Sequence, residues 1–166
     1  SEIVLDQVFG LGEWFPVFFG GLAAAMGFAM YLNGRFVERV GLRRIVVLGF
    51  WANTTAVTSL LILALATSGK PGFVPYFVLL TAVLFTQQML IPNLNAMAMR
   101  PLARVAGTGA AILGMVSGVV GALIGGFIDR QFDGTVTPLA IGFVVSSLVA
   151  SNAWRWAASH ELATNC

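Results

Sequence analysis

Charge is what this sequence has least of. Its 9 Lys and Arg and 7 Asp and Glu make up 10% of 166 residues, against about 25% in a soluble domain. Histidine and cysteine occur once each, as His160 and Cys166. One thiol excludes an internal disulfide. One His and one Cys cannot build a metal centre of the common Cys/His kinds, so no metal and no cofactor is expected. Residues 1–12 carry Glu2 and Asp6 but no Lys or Arg, which excludes the basic start of a signal peptide. Since the chain begins at Ser1, it is expected to be a piece of a longer protein. The acidic residues Glu2, Asp6, Glu13, Glu38, Asp129, Asp133 and Glu161 all fall in connections or at the edges of apolar runs. No Asp, Glu or His sits in the middle of a run, so this segment offers no obvious proton carrier of its own. An intramembrane serine protease needs a buried serine with a base. Ser117-Gly118 could be mistaken for such a site, but the sole histidine is in the tail. The chain is therefore expected not to be an enzyme, and no nucleic-acid partner is expected.

What the sequence does have is apolar length. Hydrophobic residues make up 58%, with 13 Phe and 19 Gly, and the mean hydropathy is +0.88. A helix crosses the hydrocarbon core in about 20 residues. Five segments meet that requirement: residues 14–33, 45–67, 73–99, 105–128 and 137–156. The expected fold is all-α and integral to a membrane, with the lipid bilayer as its surroundings. Ser68-Gly69-Lys70-Pro71-Gly72 and Asp129-Arg130-Gln131-Phe132-Asp133-Gly134 read as turns. Arg35, Arg39, Arg43, Arg44, Arg100, Arg104 and Arg155 fall on one side, and only Lys70 and Arg130 on the other. That asymmetry puts the arginine side in the cytoplasm, with the N-terminus outside and the C-terminus inside. A bacterial inner membrane is the expected location. Trp14 and Tyr76 at outer ends, and Tyr31, Trp154 and Trp156 at inner ends, suit the interfaces, although packing explains each of them alone. Pro75 lies in a first turn, where its missing N–H costs little. Pro92 is expected to kink or end its helix, and Pro101 marks the exit.

Three patterns are candidates for function. The first is residues 34–44, with Gly34, Glu38, Arg39, Gly41, Arg43 and Arg44. A topology-setting basic loop needs arginines but no fixed order. Here two glycines bracket a glutamate that can hold Arg39 or Arg43, which reads as a tight, charge-locked gating loop. The second is the small-residue stripe Gly107, Gly114, Gly118, Gly121 and Gly125, which contains two GxxxG motifs. Its favoured reading is a helix-packing face. The third is Thr81, Phe85, Gln88, Pro92 and Asn95, spaced by four, three, four and three on one helical face. Polar groups at membrane depth face a protein interior or a wet cavity, so Gln88 and its face read equally as an interhelical hydrogen bond or as the candidate substrate cavity. Gln87, beside it, is read as an interhelical hydrogen bond, as are Asn53, Thr54, Thr55 and Thr58.

The segment from Gly34 to Arg44 resembles the cytoplasmic signature loop of the major facilitator superfamily, matching at Gly34, Glu38, Arg39, Gly41 and Arg43 and departing at Leu42. Pro92-Asn93-Leu94-Asn95-Ala96-Met97-Ala98-Met99, then Pro101, then Ala106-Gly107-Thr108-Gly109-Ala110-Ala111-Ile112-Leu113-Gly114, is similar to the Bcr/CflA-type drug-resistance transporters. Ser117 stands where that family often has a larger polar residue. The resemblance covers nearly the whole chain, as helices eight to twelve of twelve, and implies a partial C-terminal six-helix bundle. It implies proton-coupled efflux of drugs or small metabolites, with protons as coupling ion and the N-terminal half of the same transporter as partner. The tenth helix of such folds lines the cavity, which agrees with Gln88. The coupling carboxylate would lie in the N-terminal half. A sugar or metabolite importer of the same superfamily, or a non-transporting membrane scaffold, would also accommodate these features.

Overall fold

The computed structural model describes residues 15–131 and 134–164. Expectations for Glu2, Asp6, Glu13, Trp14, Asp133 and Cys166 lie outside these residues, as do those for the side chains of His160 and Glu161. The described chain is all helical: α1 (Phe15–Val40), α2 (Leu42–Ala66), α3 (Phe73–Met99), a 3₁₀ turn (Arg100–Val105), α4 (Ala106–Arg130) and α5 (Thr137–Thr164). All five α-helices are long and apolar enough to cross a membrane, which makes this a membrane protein by length and composition.

The second and third helices form the centre. The third packs most extensively on α2 and then on α1, while α2 also packs on α5. Leu22, Val57, Leu60, Tyr76, Leu80 and Val136 belong to one buried apolar cluster, and Val46, Phe50 and Leu90 form a second. Phe18 fixes α1 to α3 edge-on, 4.6 Å from the Phe73 ring and 5.5 Å from Phe77. In lipid no hydrophobic force drives one apolar helix onto another. Close packing and interhelical hydrogen bonds do that work instead. Gly49 supplies one such approach, where an added methyl would come 2.9 Å from Leu90 Cδ2.

The fourth helix stands apart. It touches the 3₁₀ turn at its start, where Gly109 lies against Leu102, and α5 at its end, where Ile128 presses on Gly142. Between these ends α4 and α5 diverge, leaving a crevice of about 610 Å³ lined by residues that include Phe127, Ile141, Val145 and Ser146.

One expectation is revised and two open alternatives are narrowed. Residues 34–40 are not loop, because α1 continues through them and only Gly41 interrupts the helix. Arg35, Glu38 and Arg39 are good helix formers, and nothing between Gly34 and Val40 lacks an N–H. The helix therefore continues past its apolar span. Of the two outcomes open for Pro92, a kink or an end, the end is removed, because α3 runs to Met99. Of the readings open for Tyr76, interfacial anchoring or packing, the structure shows packing: it is 1% exposed, inside the core. Tyr31 and Trp156, by contrast, are exposed, and Trp154 stacks on Phe50 at 6.3 Å.

The turn from α2 to α3 has a clear cause. The N–H of Gly69 donates to the Ala64 carbonyl at 2.7 Å and that of Ser68 to Leu65 at 3.2 Å, the paired bonds of a Schellman ending. Ser68 has φ 51° and Gly69 φ 78°. The Gly69 carbonyl then accepts the Val136 N–H at 3.0 Å. This bond ties the α2–α3 turn to the start of α5, so both turns lie at one end of the bundle.

Candidate functional site

Two layers of buried polar side chains cross the bundle. The deeper one lies near the midpoints of three helices. Asn53 Nδ2 donates to Ser147 Oγ at 3.0 Å, and Thr86 Oγ1 lies 3.0 Å from Asn53 Oδ1 as its donor. Asn53 is 5% exposed and Ser147 6%. This places Asn53 of α2 between Thr86 of α3 and Ser147 of α5. Such bonds average about 0.6 kcal/mol in membrane proteins, and more than one on a single side chain fixes helix register. Asn53 therefore makes the interhelical bonds that its sequence position suggests. Thr55 does not: it donates to its own helix at Trp51.

The second layer lies toward the arginine end. Asn93 Nδ2 donates to Asn33 Oδ1 at 2.6 Å and also reaches the Met89 carbonyl at 2.5 Å. Both asparagines are buried. The location follows from Pro92. Proline has no N–H to give the Gln88 carbonyl, so the helix is weakest in the turn that Asn93 braces from its side chain. Sequence reading missed this pair, as it missed Thr86 and Ser147. Asn93 was visible beside Pro92, but its pairing with Asn33 depends on the rotation of α1 against α3, which no single-helix pattern contains.

Thr81, Phe85, Gln88 and Pro92 are half-buried and Asn95 is exposed. The buried residues of α3 are Tyr76, Leu80, Val83, Leu90 and Asn93. At 100° per residue, the Gln88 face lies opposite Val83 and Leu90, while Gln87 falls in line with them. The candidate cavity face is thus brought together as one surface that the bundle core does not use. Within it, Thr81 donates to its own Phe77 carbonyl at 2.7 Å. The carbonyl that Pro92 cannot serve belongs to Gln88, so a backbone acceptor and an amide side chain coincide there.

The 34–44 segment has an unusual join. Gly41 has φ 89° and ψ 145°, a region that only glycine enters readily. Its N–H still donates to Val37 at 3.1 Å and its carbonyl still accepts from Ile45 at 3.2 Å. One residue therefore breaks the helix without losing either backbone bond. Gly34, in contrast, is helical, with nothing near its missing Cβ. Glu38, Arg39, Arg43 and Arg44 are exposed. Among the described residues no ion pair joins Glu38 to Arg39 or Arg43. Arg35 lies over the Tyr31 ring, 5.0 Å from its centre.

The glycine stripe of α4 faces open space. Nothing in the described chain lies within 4 Å of a methyl built on Gly107, Gly114, Gly118, Gly121 or Gly125. The glycines in close contact are Gly49, Gly69, Gly109 and Gly142. No protein-family model, curated protein or solved structure matches this chain.

Proposed function

We propose that this chain is part of a secondary active transporter, the C-terminal portion of a major facilitator-type protein of the Bcr/CflA kind. In this reading it exports drugs or small metabolites by proton-coupled alternating access. The observation that carries the reading is Gly41. It is a one-residue hinge between two membrane-length helices, placed inside the Gly-x-x-x-Glu-Arg-x-Gly-x-Arg order. Alternating access needs helices that pivot at such joints while their backbone bonds persist. The Gln88 face supports the same reading, being polar, half-buried and turned away from the bundle core. In this proposal it meets the N-terminal half of the transporter across the substrate path, and that half supplies the proton-coupling carboxylate. An importer of sugars or metabolites would use the same parts. The scaffold reading has one observation in its favour, the uncovered glycine face of α4, which a partner helix would fill.

Topology is the first test. Single cysteines at Lys70 and Arg100, in a Cys166→Ser background, should react with an impermeant thiol reagent only at position 70 in intact cells. Reaction of position 100 from outside would reject the orientation inferred from seven arginines against Lys70 and Arg130.

The cavity face is the second test. In an efflux assay Gln88→Ala should weaken apparent substrate affinity roughly 2- to 10-fold, the loss of one hydrogen bond. Gln87→Ala should change it less, being aligned with the core. The reverse ranking would remove Gln88 from the substrate path.

A further inference from the structure

The arginine end of the bundle also carries a crevice that meets the deeper polar layer at Thr86. It measures about 320 Å³, at the small end of the roughly 300–1,000 Å³ typical of ligand pockets. Phe36 and Val40 of α1 form one wall, Ile45, Leu48 and Ala52 of α2 the other, and Thr86 and Met89 of α3 complete the lining. It exists because α1 and α2 leave Gly41 in different directions and touch little beyond the hinge. Its surface is almost wholly apolar.

By helical spacing, two arginines flank it. Arg44 precedes Leu48 by four residues, which puts it at one edge of the α2 face that lines the crevice. Arg39 follows Phe36 by three residues and sits beside Val40, at the corresponding edge of α1. Both arginines are exposed, and among the described residues neither is tied up by Glu38. The first turn of α2 adds N–H groups without a side-chain cap, and these favour an anion in the same place.

An apolar slot flanked by arginines at a membrane edge is complementary to one kind of molecule. We propose that the crevice between α1 and α2 binds an anionic phospholipid, with an acyl chain in the slot and the phosphate held by Arg39 and Arg44. Guanidinium groups match phosphate oxygens in pairs, and basic pockets between membrane helices recognise anionic headgroups. The site does not depend on transport. It would hold the α1–α2 wedge open around Gly41 whether or not the chain moves a substrate.

The test separates a site from a general field of positive charge. The 166-residue chain is placed in mixed phosphatidylcholine–phosphatidylglycerol nanodiscs and its retained lipid is counted by native mass spectrometry. Wild type should retain phosphatidylglycerol in preference to phosphatidylcholine. Arg39→Gln with Arg44→Gln should lower that retention roughly thirtyfold, the combined effect of two surface arginines. Ala52→Phe and, independently, Leu48→Trp keep every charge but fill the slot, and each should lower retention comparably. Arg100→Gln with Arg104→Gln removes equal charge elsewhere and should leave it unchanged. The proposal is overturned if the slot-filling variants retain lipid like wild type. It is equally overturned if the two arginine pairs behave alike, or if phosphatidylglycerol is not preferred.

Discussion

Gly69→Val should unfold the purified protein more readily than any other single change at its turns, by roughly 2–5 kcal/mol. Two costs add. Gly69 has φ 78°, and a left-handed conformation costs a residue with a side chain about 1–2 kcal/mol, β-branched ones most of all. The new Cβ would also lie 2.5 Å from Thr135 Cβ and 2.8 Å from Thr137 Oγ1, and overpacking of that kind costs about 1–3 kcal/mol. Neither neighbour can step aside easily. The Val136 N–H is bonded to the Gly69 carbonyl, and Val136 itself is 1% exposed. The strain therefore passes directly to the contact that holds α5 against the α2–α3 turn. Ser68→Gly is the matched opposite: relaxing φ 51° should stabilise by up to about 1 kcal/mol. Thermal unfolding in detergent, followed by circular dichroism, reads both. Equal stability of Gly69→Val and wild type would show that the turn is not built as described.

Gly41→Leu should have the largest effect on activity. At φ 89° and ψ 145° a leucine would pay about 1–3 kcal/mol. The cheapest escape is for residue 41 to become helical, which would join α1 and α2 into one continuous helix. Even without that collapse, such a bias shifts a two-state hinge by roughly 5- to 150-fold. Efflux at equal membrane abundance should fall by a factor in that range. Glu38→Gln is the informative companion. It removes the only negative charge of the segment without touching the backbone, and Glu38 makes no ion pair here to lose. A loss of transport in Glu38→Gln would mean that the charge lock forms only in another state of the cycle. Wild-type transport by Gly41→Leu would remove the hinge from the mechanism.

How much of this was visible in the residues depends on the kind of signal. The ends of α3 were legible at both Phe73 and Met99, because Pro71, Gly72 and Pro101 bracket the span with residues that cannot sit inside a helix comfortably. The α1–α2 join was legible at Gly41 but not in its extent. Charge marks where a helix leaves the hydrocarbon, not where it stops being a helix, so residues 34–40 misled. Asn53 was legible as an interhelical bonder because an amide at mid-span must find a partner. Asn33 and Asn93 were not, since their meeting is a property of two helices in one register. The glycines divide in the same way. Spacing identified a smooth face on α4, yet whether such a face is covered depends on what stands opposite. Gly49 and Gly142, which do meet a neighbour, belong to no repeating pattern.

The reading as one part of a transporter is tested most directly by reconstitution. Residues 1–166 go into liposomes alone or co-expressed with the N-terminal portion, and efflux of a lipophilic cation is followed under an imposed pH gradient. Five helices cannot form two opposed bundles that rock about a central site. The spans described here hold no mid-membrane carboxylate to take up and release a proton. Gradient-dependent efflux is therefore expected from the co-expressed pair and not from the 166 residues by themselves. Gradient-driven transport by the 166 residues alone, or its absence from both preparations, would contradict the account.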